Sequence, residues 1–325
     1  MPKRLGAQNV FFHAMQVYYD LHSYTPPQNL VVTIGSYDGL HAGHRQIIRR
    51  TTELAQKHSA KSALITFEPH PRIALKKDAS SLRLLTSLPE KIAILADLGL
   101  NILIVQNFDE AFYSQTAEDY IANFLVKTVG AKHLVIGYDH RFGLHGQGNT
   151  PMLLRHSTEL GYAVHEIPAH LINENAVSST KIRNYLLNAQ VPQANLLLGY
   201  AYQLRGKVVK GDQIGRTLGY PTANVQLADA YKLCPANGIY AVNVLVNHQK
   251  FGGMLYIGSR PSLLHAKPEP RIEVFIFDFQ QDIYDQTIST ELLHFLRPDQ
   301  KFEGLEALKN QLKADEVAAR AVLGA

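Results

Sequence analysis

Tryptophan is absent from this sequence of 325 residues, and cysteine occurs once, as Cys234. A single cysteine excludes an internal disulfide and a zinc site built from cysteines alone, and it is typical of a protein from a reducing compartment. No uninterrupted run of about 18 apolar residues occurs, so the sequence predicts no membrane-spanning helix. The first residues also lack the apolar stretch of a secretory signal. We therefore expect a cytoplasmic protein with no membrane segment.

Charged residues are also scarce, at 18% of the chain, compared with about 25% in a typical domain. Lysine and arginine number 32 and aspartate and glutamate 28, which gives a net charge of +4. That excess is too small to predict a nucleic-acid-binding face, and it suits anionic small molecules equally well. The length favours two packed domains, and we place the boundary between residues 188 and 189, giving domains 1–188 and 189–325.

The first half alternates short apolar runs with amphipathic stretches. Apolar runs at 30–34, 63–67, 102–105, 134–136 and 162–167 predict buried strands. Helical patterns at 44–58, 88–98, 117–129 and 152–160 lie between them. Strands and helices that alternate in this way predict a parallel, doubly wound sheet, whose ligands bind at the carboxyl ends of the strands.

The second half has a different pattern. A helix at 180–188 and a short apolar segment at 194–198 lead into β-rich runs at 204–209, 239–246, 251–257 and 272–279. Residues 304–323 are helical in spacing. The second half therefore predicts a small closed β-structure with a C-terminal helix.

A glycine-rich turn with two histidines follows the first predicted strand. Residues 35–44 read G-S-Y-D-G-L-H-A-G-H and lead into the first predicted helix. Free N–H groups at a helix start favour a phosphate, and His41 and His44 are spaced to face one point. Two imidazoles there can donate hydrogen bonds to charge that develops during phosphoryl transfer. The alternative is a surface turn with solvated histidines, but the position between a strand and a helix favours the functional interpretation.

A hydroxyl-rich helix start supports that interpretation. Residues 177–183 read V-S-S-T-K-I-R. The hydroxyls can cap the helix and hold phosphate oxygens, and Arg183 adds a forked cation one turn later. Alone, the string would be an ordinary helix cap with a surface arginine. Together with the histidine turn, it indicates a phosphate site.

These two motifs resemble the HxGH-type nucleotidyltransferase superfamily. The strings T-F-E-P-H-P at 66–71 and G-Y-D-H-R-F-G at 137–143 resemble the adenylyltransferase module of bacterial bifunctional riboflavin kinase/FAD synthetases. The resemblance implies that His41, His44 and Arg183 are catalytic. It implies nucleotide contacts from Gly35, Asp38, Gly39, Asp139, Ser178, Ser179 and Thr180. Phe67 and Phe142 are candidates for stacking on a flavin ring, although as core aromatic residues they would need no such role.

A second site is predicted in the glycine-punctuated loop 211–224. Thr222 and Asn224 alternate as strand residues do, so they present two oxygens on one face, and Mg²⁺ takes such ligands together with substrate phosphates. The upstream string R-G-K-V-V-K-G at 205–211 offers positive charge and glycine for nucleotide contact, from Gly206, Lys207 and Gly211. It is not a Walker loop, because G-x-x-x-x-G-K-[ST] occurs nowhere in the sequence. The loop 211–219 is our first candidate for a segment that closes on substrate.

Glu273 alternates with Phe275 and Phe277 along a predicted strand. A carboxylate on that face is costly unless it is partnered or functional, so Glu273 is a candidate base for a substrate hydroxyl. The alternative is an exposed residue paired with Arg271. Periodicity alone does not separate the two interpretations.

The second half resembles the riboflavin kinase module. The strings that carry the resemblance lie at 215–224, 235–240, 257–262, 273–279 and 295–298, in that family's order. The resemblance implies that Thr222 and Asn224 bind Mg²⁺-nucleotide and that Glu273 activates the ribityl 5′-hydroxyl. It also implies a flavin contact from Arg297. The basic residues Arg205, Lys207 and Arg216 fit an ATP site in this half.

The whole resemblance implies a Rossmann-like α/β domain followed by a small antiparallel β-barrel with a C-terminal helix. It implies that riboflavin is phosphorylated by ATP to FMN and that FMN is then adenylylated to FAD with release of pyrophosphate. Riboflavin, FMN and ATP are the expected partners, without nucleic acid or membrane, and the oligomeric state is not predicted. Three residues depart from the family pattern: Tyr37 (usually Phe), His140 (usually aromatic) and Tyr256 (commonly Asn).

Two alternatives remain at this stage. In the first, the chain would be an adenylyltransferase for a non-flavin acceptor with an appended β-domain. In the second, it would be a flavin-binding protein without catalysis. The set of Thr222, Asn224 and Glu273 argues against the first alternative, because an appended domain would need neither metal nor base. Intact His41 and His44 argue against the second.

Overall fold

The structure is a computed structural model that describes residues 15–19, 21–75, 82–168, 177–211, 215, 218–260 and 269–324. The chain forms two compact units. The first, here the sheet unit, takes its residues from 1–37, 43–81 and 92–174. The second, here the barrel unit, takes them from 38–42, 82–91 and 175–325.

The sheet unit is built on six parallel strands. They are β1 (Gln16–Tyr18), β2 (Leu30–Ile34), β3 (Lys61–Glu68), β4 (Ile102–Asn107), β5 (His133–Gly137) and β6 (Ala163–Ile167). Their order is β1-β4-β3-β2-β5-β6, and every neighbouring pair is parallel. All five residues of β2 are buried, as expected for a strand covered on both faces. The strand order reverses between β2 and β5, which is where ligands bind in open α/β sheets.

Nine helices of the described chain accompany the two sheets. They are α1 (Ala42–Lys57), α2 (Pro71–Ala74), α3 (Leu88–Asp97), α4 (Glu110–Tyr113), α5 (Ala117–Asp119), α6 (Thr150–Leu160), α7 (Ser179–Leu187), α8 (Val191–Leu198) and α9 (Leu305–Leu323). A π-helical stretch, Tyr120–Thr128, continues α5. None of the helices in the described chain combines the length and apolar composition needed to cross a membrane.

The barrel unit contains a closed barrel of six antiparallel strands. They are β7 (Tyr202–Val209), β8 (Ala223–Leu227), β9 (Gly238–Val246), β10 (Gln249–Arg260), β11 (Glu269–Ile276) and β12 (Thr287–Arg297). The strands close in the order β10-β11-β8-β7-β12-β9. Along β7, buried and more exposed residues alternate, so that Leu204 and Val208 point into the core. Closure leaves no open sheet edge, and the C-terminal helix α9 packs on β9 and β10.

The predicted fold class is confirmed, but several elements were missed or misread, among them the short helices α2 and α4. Strand β1 has three residues and no apolar alternation. Strand β8 is short, and its sequence is A-N-V-Q-L. Strand β12 was missed although Ile288, Thr290 and Leu292 alternate with more exposed residues. The apolar segment at 194–198 is part of helix α8, which has proline in its first turn and ends at Gly199.

Candidate active sites

The histidine turn follows the carboxyl end of β2, and its aromatic residue, Tyr37, is held in place by several contacts. Tyr37 is buried, has a positive φ of 46°, and its hydroxyl lies 2.5 Å from the Thr33 hydroxyl. Burial raises the pKa of Tyr37 well above its ordinary value. The Tyr37 ring meets the His44 imidazole edge-on, with 5.1 Å between ring centres. The departure from phenylalanine at position 37 therefore adds a hydrogen bond that holds the ring against His44.

His41 immediately precedes α1 and is 5% exposed. Burial lowers the pKa of His41 to about 4, and the nearby Asp38 carboxylate opposes that shift only partly. His41 is therefore neutral at pH 7. A neutral imidazole can still donate a hydrogen bond, which is the role that sequence reasoning gave it.

Asp38 lies at the centre of a hydrogen-bond network in the barrel unit. Its Oδ1 accepts from the backbone N–H groups of Leu85, at 2.8 Å, and Thr86, at 3.2 Å. Its Oδ2 pairs with the Arg183 guanidinium. The Arg183 Nε also donates to the Arg83 carbonyl at 2.6 Å. The structure thus brings two predicted site residues, Asp38 and Arg183, into one ion pair, with the arginine oriented by two acceptors.

A buried ion pair supports the segment that holds Asp38. The Lys232 ammonium lies 2.6 Å from Glu90 Oε2 and 2.7 Å from the Leu85 carbonyl oxygen. Glu90 Oε2 also accepts from the Ser87 N–H at 2.9 Å, which is the carboxylate half of a capping box before α3. Both charged side chains are 2% exposed. The pair fixes the backbone from Leu85 to Ser87, and hence the N–H groups that bind Asp38.

At Gly39, both the backbone conformation and the neighbouring Leu85 side chain exclude a larger residue. Its φ is +83°, and an added Cβ would lie 2.7 Å from the Leu85 side chain. Its N–H donates to the Thr86 hydroxyl at 3.0 Å, and its carbonyl accepts from the Tyr200 hydroxyl at 2.7 Å. A larger residue here would displace the turn.

The three hydroxyl residues at the start of α7 differ in their hydrogen bonds and exposure. Ser178 is the N-cap, and its Oγ accepts from the Lys181 N–H at 3.2 Å. Ser179 donates from its hydroxyl to the Asp38 carbonyl at 3.1 Å. Thr180 is exposed. The structure therefore brings Ser179 to the Asp38–Arg183 pair and leaves Ser178 and Thr180 more accessible.

The remaining predicted residues of the sheet unit lie at the carboxyl ends of neighbouring strands. Gly35 follows β2, Phe67 is near the end of β3, and Asp139 follows β5. Phe67 is partly buried and packs against Phe108, with 5.3 Å between ring centres. These positions match the edge where the sheet predicts ligand binding.

Phe142 is a core residue in this structure. It is 6% exposed and stacks on Tyr120 at 5.2 Å and on His140 at 5.7 Å between ring centres. Burial lowers the pKa of His140 to about 4. The departure at position 140 thus places a neutral imidazole against the Phe142 ring. The contact of Phe142 with a flavin stays a prediction.

The barrel unit brings Glu273 and Thr222 together. The Thr222 hydroxyl donates to Glu273 Oε2 at 3.2 Å, and the Arg271 guanidinium bonds Oε1. The Glu273 side chain is 16% exposed. The ion pair with Arg271 that sequence reasoning offered as the alternative is therefore formed, but it lies in a mostly buried setting that also contains Thr222.

The pairing of strands places Asn224 beside Glu273. It lies opposite Glu273 in the β8–β11 pairing and opposite Val209 in the β7–β8 pairing. A Cβ on Gly211 would lie 2.1 Å from the Asn224 amide nitrogen, so glycine is needed there for close approach. Gly211 is thus next to Asn224, and Asn224 and Thr222 are both next to Glu273.

A cavity of about 310 Å³ opens beside Glu273. Its lining residues include Tyr220, Phe275, Phe302, Leu308 and Leu312, which give it flat and apolar walls. Arg297 also lines the cavity, and its Nε and terminal nitrogen bind Asp315 at 2.8–3.1 Å. Asp315 on α9 is 4% exposed. The predicted flavin residue Arg297 is therefore held by a buried carboxylate in the wall of an aromatic slot.

A second cleft of about 400 Å³ meets the first at Thr222. Its lining residues include Val208, Pro221, Ala223, Phe279 and Tyr284. The departure at Tyr256 belongs to the first cavity, where Tyr256 lies opposite Glu273 and its hydroxyl donates to Asp299 at 3.0 Å. The Glu273–Thr222 pair thus lies where two cavities meet.

Two predicted nucleotide residues are not brought to this group. Gly206 and Lys207 line a separate cavity of about 210 Å³, and the Lys207 ammonium pairs with Asp285 at 2.7 Å. Arg216 lies outside the described residues, as does part of the loop 211–219.

Sequence reasoning missed the supporting pairs. Ser87 and Glu90 have capping-box spacing, so this signal was available, but its partner Lys232 is 142 positions away from Glu90. Asp315 carried no local signal, because a single acidic residue on an amphipathic helix is ordinary.

Comparison with known families finds a match in each half of the chain. The family model for FAD synthetase matches residues 24–181, and the model for riboflavin kinase matches residues 198–323. The two matches leave the segment 182–197 between them.

Two named relatives align with this chain over nearly their whole length. The bifunctional riboflavin kinase/FMN adenylyltransferase of Listeria monocytogenes is 34% identical over 90% of this chain and 92% of its own. Its counterpart from Escherichia coli K12 is 34% identical over 93% of this chain and 95% of its own. A crystal structure described as a macrolide-efflux protein from Streptococcus pneumoniae aligns with a TM-score of 0.83 and 33% identity, covering 94% of this chain and 99% of that one.

Proposed function

Because the chain belongs to the family of bifunctional riboflavin kinase/FMN adenylyltransferases, we propose that the residues described above carry its two reactions. The chain phosphorylates riboflavin to FMN with ATP and adenylylates FMN to FAD. We assign Glu273 as the general base of the first reaction. We assign the turn bearing His41 and His44 to the second reaction. The observation that carries the kinase assignment is the Glu273–Thr222 pair at the junction of an aromatic cavity and a second cleft.

The kinase reaction follows from that arrangement. The riboflavin ring occupies the cavity lined by Phe275 and Phe302, with the ribityl chain directed at Glu273. ATP lies in the second cleft, so the 5′-hydroxyl and the γ-phosphate approach each other beside Thr222. Glu273 accepts the hydroxyl proton as the oxygen attacks phosphorus in line, and ADP leaves.

Thr222 and Asn224 fit a magnesium ion bound to ATP. The Thr222 hydroxyl donates a hydrogen bond to Glu273, which leaves its oxygen lone pairs available to a cation. Asn224 would contribute a second hard oxygen, and the phosphates of ATP would supply further oxygen ligands to the ion. When bound, the ion neutralises charge on the phosphates.

The adenylyl transfer uses the histidine turn. The FMN phosphate attacks the α-phosphorus of ATP and pyrophosphate leaves. Neutral His41, together with His44, donates hydrogen bonds to the charge that develops on the phosphate oxygens. Arg183, held by Asp38, supplies the fixed positive charge. Neither reaction needs a covalent enzyme intermediate.

The reaction mixture itself tests this function. Wild-type protein is incubated with riboflavin, ATP and Mg²⁺, and the flavins are separated by chromatography. We expect FMN first and FAD after it. Flavin that stays bound without consumption of ATP would instead support a flavin-binding protein.

Two further assignments accompany this proposal. We keep the domain boundary between residues 188 and 189, which falls in the segment between the two family matches. We also place the reactions in the cytoplasm, because a chain with one cysteine is typical of a reducing compartment and both reactions consume ATP.

A further inference from the structure

We propose that Lys232 is a positioning residue for adenylyl transfer, although it lies in the part of the chain that matches riboflavin kinase. Its ammonium fixes the segment from Leu85 to Ser87, which holds Asp38 and, through Asp38, the guanidinium of Arg183. Lys232 acts through these residues and needs no contact with a substrate. The inference rests on the proposed role of Arg183 in FAD formation.

The backbone on each side of Lys232 pairs with the chain shortly before α3. The Leu84 N–H donates to the Tyr231 carbonyl at 2.6 Å, and the Leu233 N–H donates to the Leu84 carbonyl at 2.8 Å. Both paired segments belong to the barrel unit, although Leu84 lies in the FAD synthetase match and Lys232 in the riboflavin kinase match. The pairing therefore places Lys232 beside a segment of the other family match.

Buried contacts hold the Lys232 side chain. Its ammonium donates to Glu90 Oε2 and to the Leu85 carbonyl, and it lies 4.2 Å from the centre of the Tyr202 ring. Tyr202 is fully buried, and its hydroxyl donates to the Leu233 carbonyl at 2.7 Å. An ammonium removed from water is costly unless such partners compensate. Because one ammonium bonds both the Leu85 carbonyl and the Glu90 side chain, it ties the start of the segment to the residue that caps its end.

The held segment makes three hydrogen bonds to the histidine turn. The N–H groups of Leu85 and Thr86 donate to Asp38 Oδ1. The Thr86 hydroxyl accepts from the Gly39 N–H at 3.0 Å. Asp38 Oδ2 pairs with Arg183, so a shift of the segment would move the carboxylate and the guanidinium that it orients. Since a misplacement of about 1 Å can cost about 100-fold in rate, adenylyl transfer should depend on the position of this segment.

The test measures both reactions in Lys232→Met, made in the full chain. We expect the kcat for FAD formation from FMN to fall about 10- to 100-fold, the cost of a misplaced catalytic group, while the KM for FMN changes less. FMN formation from riboflavin should stay within about twofold of wild type, because that reaction is assigned to Glu273. Retained FMN formation also reports that the variant is folded.

A second variant keeps the test valid if Lys232→Met does not fold. That substitution leaves the Glu90 carboxylate buried without its counter-charge, which is strongly destabilising. Adding Glu90→Gln removes the buried charge and keeps an oxygen that can accept from the Ser87 N–H. The double variant should resist chemical denaturation better than Lys232→Met. Its FAD formation should remain about 10- to 100-fold below wild type, since the bond to the Leu85 carbonyl is still missing.

Lys250→Met is the matched control. The Lys250 ammonium pairs with Glu291 at 2.8 Å and joins β10 to β12 in the barrel unit. The substitution removes the same charge and the same kind of ion pair from another part of the unit. Both reactions should therefore stay within about twofold of wild type, since exposed pairs contribute little.

An additivity test shows whether Lys232 acts through the arginine. Arg183→Ala is made alone and together with Lys232→Met and Glu90→Gln, and FAD formation is measured in each variant. The two added substitutions should reduce the rate by less than about threefold further, because the guanidinium that they position is already absent. A role of Lys232 in general stability would instead lower the rate by the same factor in both backgrounds.

The possible results separate two failures. Wild-type FAD formation in the double variant overturns the positioning role, as does an equal loss of both reactions in that variant or a full multiplication of the Lys232 and Arg183 effects. If Arg183→Ala itself forms FAD at the wild-type rate, the proposed role of Arg183 is wrong, and the Lys232 inference falls with it.

Discussion

At the scale of single residues, the proposed kinase site shows how a mostly buried carboxylate is oriented. Both oxygens of Glu273 accept hydrogen bonds, one from Thr222 and one from Arg271. These two donors fix the direction of the proposed base at the junction of two cavities, where the proposed mechanism brings a hydroxyl and a phosphate together.

Replacing that acceptor should separate the two activities. In Glu273→Gln the amide cannot take the ribityl proton, so we expect FMN formation to fall by about 10²- to 10⁴-fold, the usual contribution of a general base. FAD formation from supplied FMN should stay within about twofold of wild type. Chromatography of the flavins from both assays measures this. A parallel loss of both activities in folded protein would show that the assignment to two sites is wrong.

His41 gives a prediction about pH and stability. Its folded-state pKa of about 4 lies below the ordinary value of 6.5, so as the pH falls the unfolded chain binds a proton first. The free energy of unfolding should therefore decrease between pH 6.5 and pH 4, by roughly 3 kcal/mol from this residue. Chemical denaturation of wild type and His41→Asn at pH 7 and pH 4.5 measures the difference. The prediction fails if the two proteins lose stability equally.

The sequence identified residues whose chemistry is local and missed those whose role depends on a distant partner. Thr222 was singled out because it alternates with Asn224, and Glu273 because it is a carboxylate that alternates with aromatic residues along a predicted strand. Asp315 was missed, since its importance comes from Arg297, which is 18 positions away and on another element. Lys232 was missed for the same reason.

At the scale of elements, strand register assembles the kinase site. The β8–β11 pairing places Asn224 opposite Glu273, and the β7–β8 pairing brings the end of β7 to the same place. The chain then turns at Gly211, where the absence of a side chain lets the backbone pass the Asn224 amide. The geometry of Asn224 therefore depends on a residue that has no side chain.

Gly211→Ala tests that dependence. The added methyl group would lie 2.1 Å from the Asn224 amide nitrogen, so the amide or the backbone must shift, at a cost typical of overpacking of about 1–3 kcal/mol. We expect kcat/KM for FMN formation to fall about tenfold or more, because 1.4 kcal/mol corresponds to a factor of ten. Gly304→Ala is the control, since a methyl group there meets nothing within 4 Å. Equal activity of the two variants would contradict the account.

The elements that were predicted share one property, which is a continuous apolar run or a clear period over several residues. Strand β2, whose five residues are all buried, is the plainest case of such a run. Strand β12 had a readable alternation and was overlooked, whereas β1 could not be read, because three residues do not define a period. Closure of the barrel was predicted from the β-rich runs of the second half, while its strand order comes from the structure.

At the scale of the whole molecule, each compact unit has a hydrophobic core of its own. The sheet core includes Ile34, Ile65 and Leu134, and the barrel core includes Leu204, Tyr240 and Val274. The residues assigned to the kinase reaction belong entirely to the barrel unit. A substitution at Glu273 is therefore expected to leave the packing of the sheet core unchanged.

The central claim is that one chain carries two separable sites, and a complementation assay tests it most directly. Glu273→Gln and His44→Ala are each incubated with riboflavin, ATP and Mg²⁺, alone and mixed, and the flavins are followed by chromatography. We predict that Glu273→Gln leaves riboflavin unconverted, that His44→Ala stops at FMN, and that the mixture forms FAD because FMN passes through solution. If either variant alone loses both reactions while folded, or if His44→Ala makes FAD at the wild-type rate, the two-site account is contradicted.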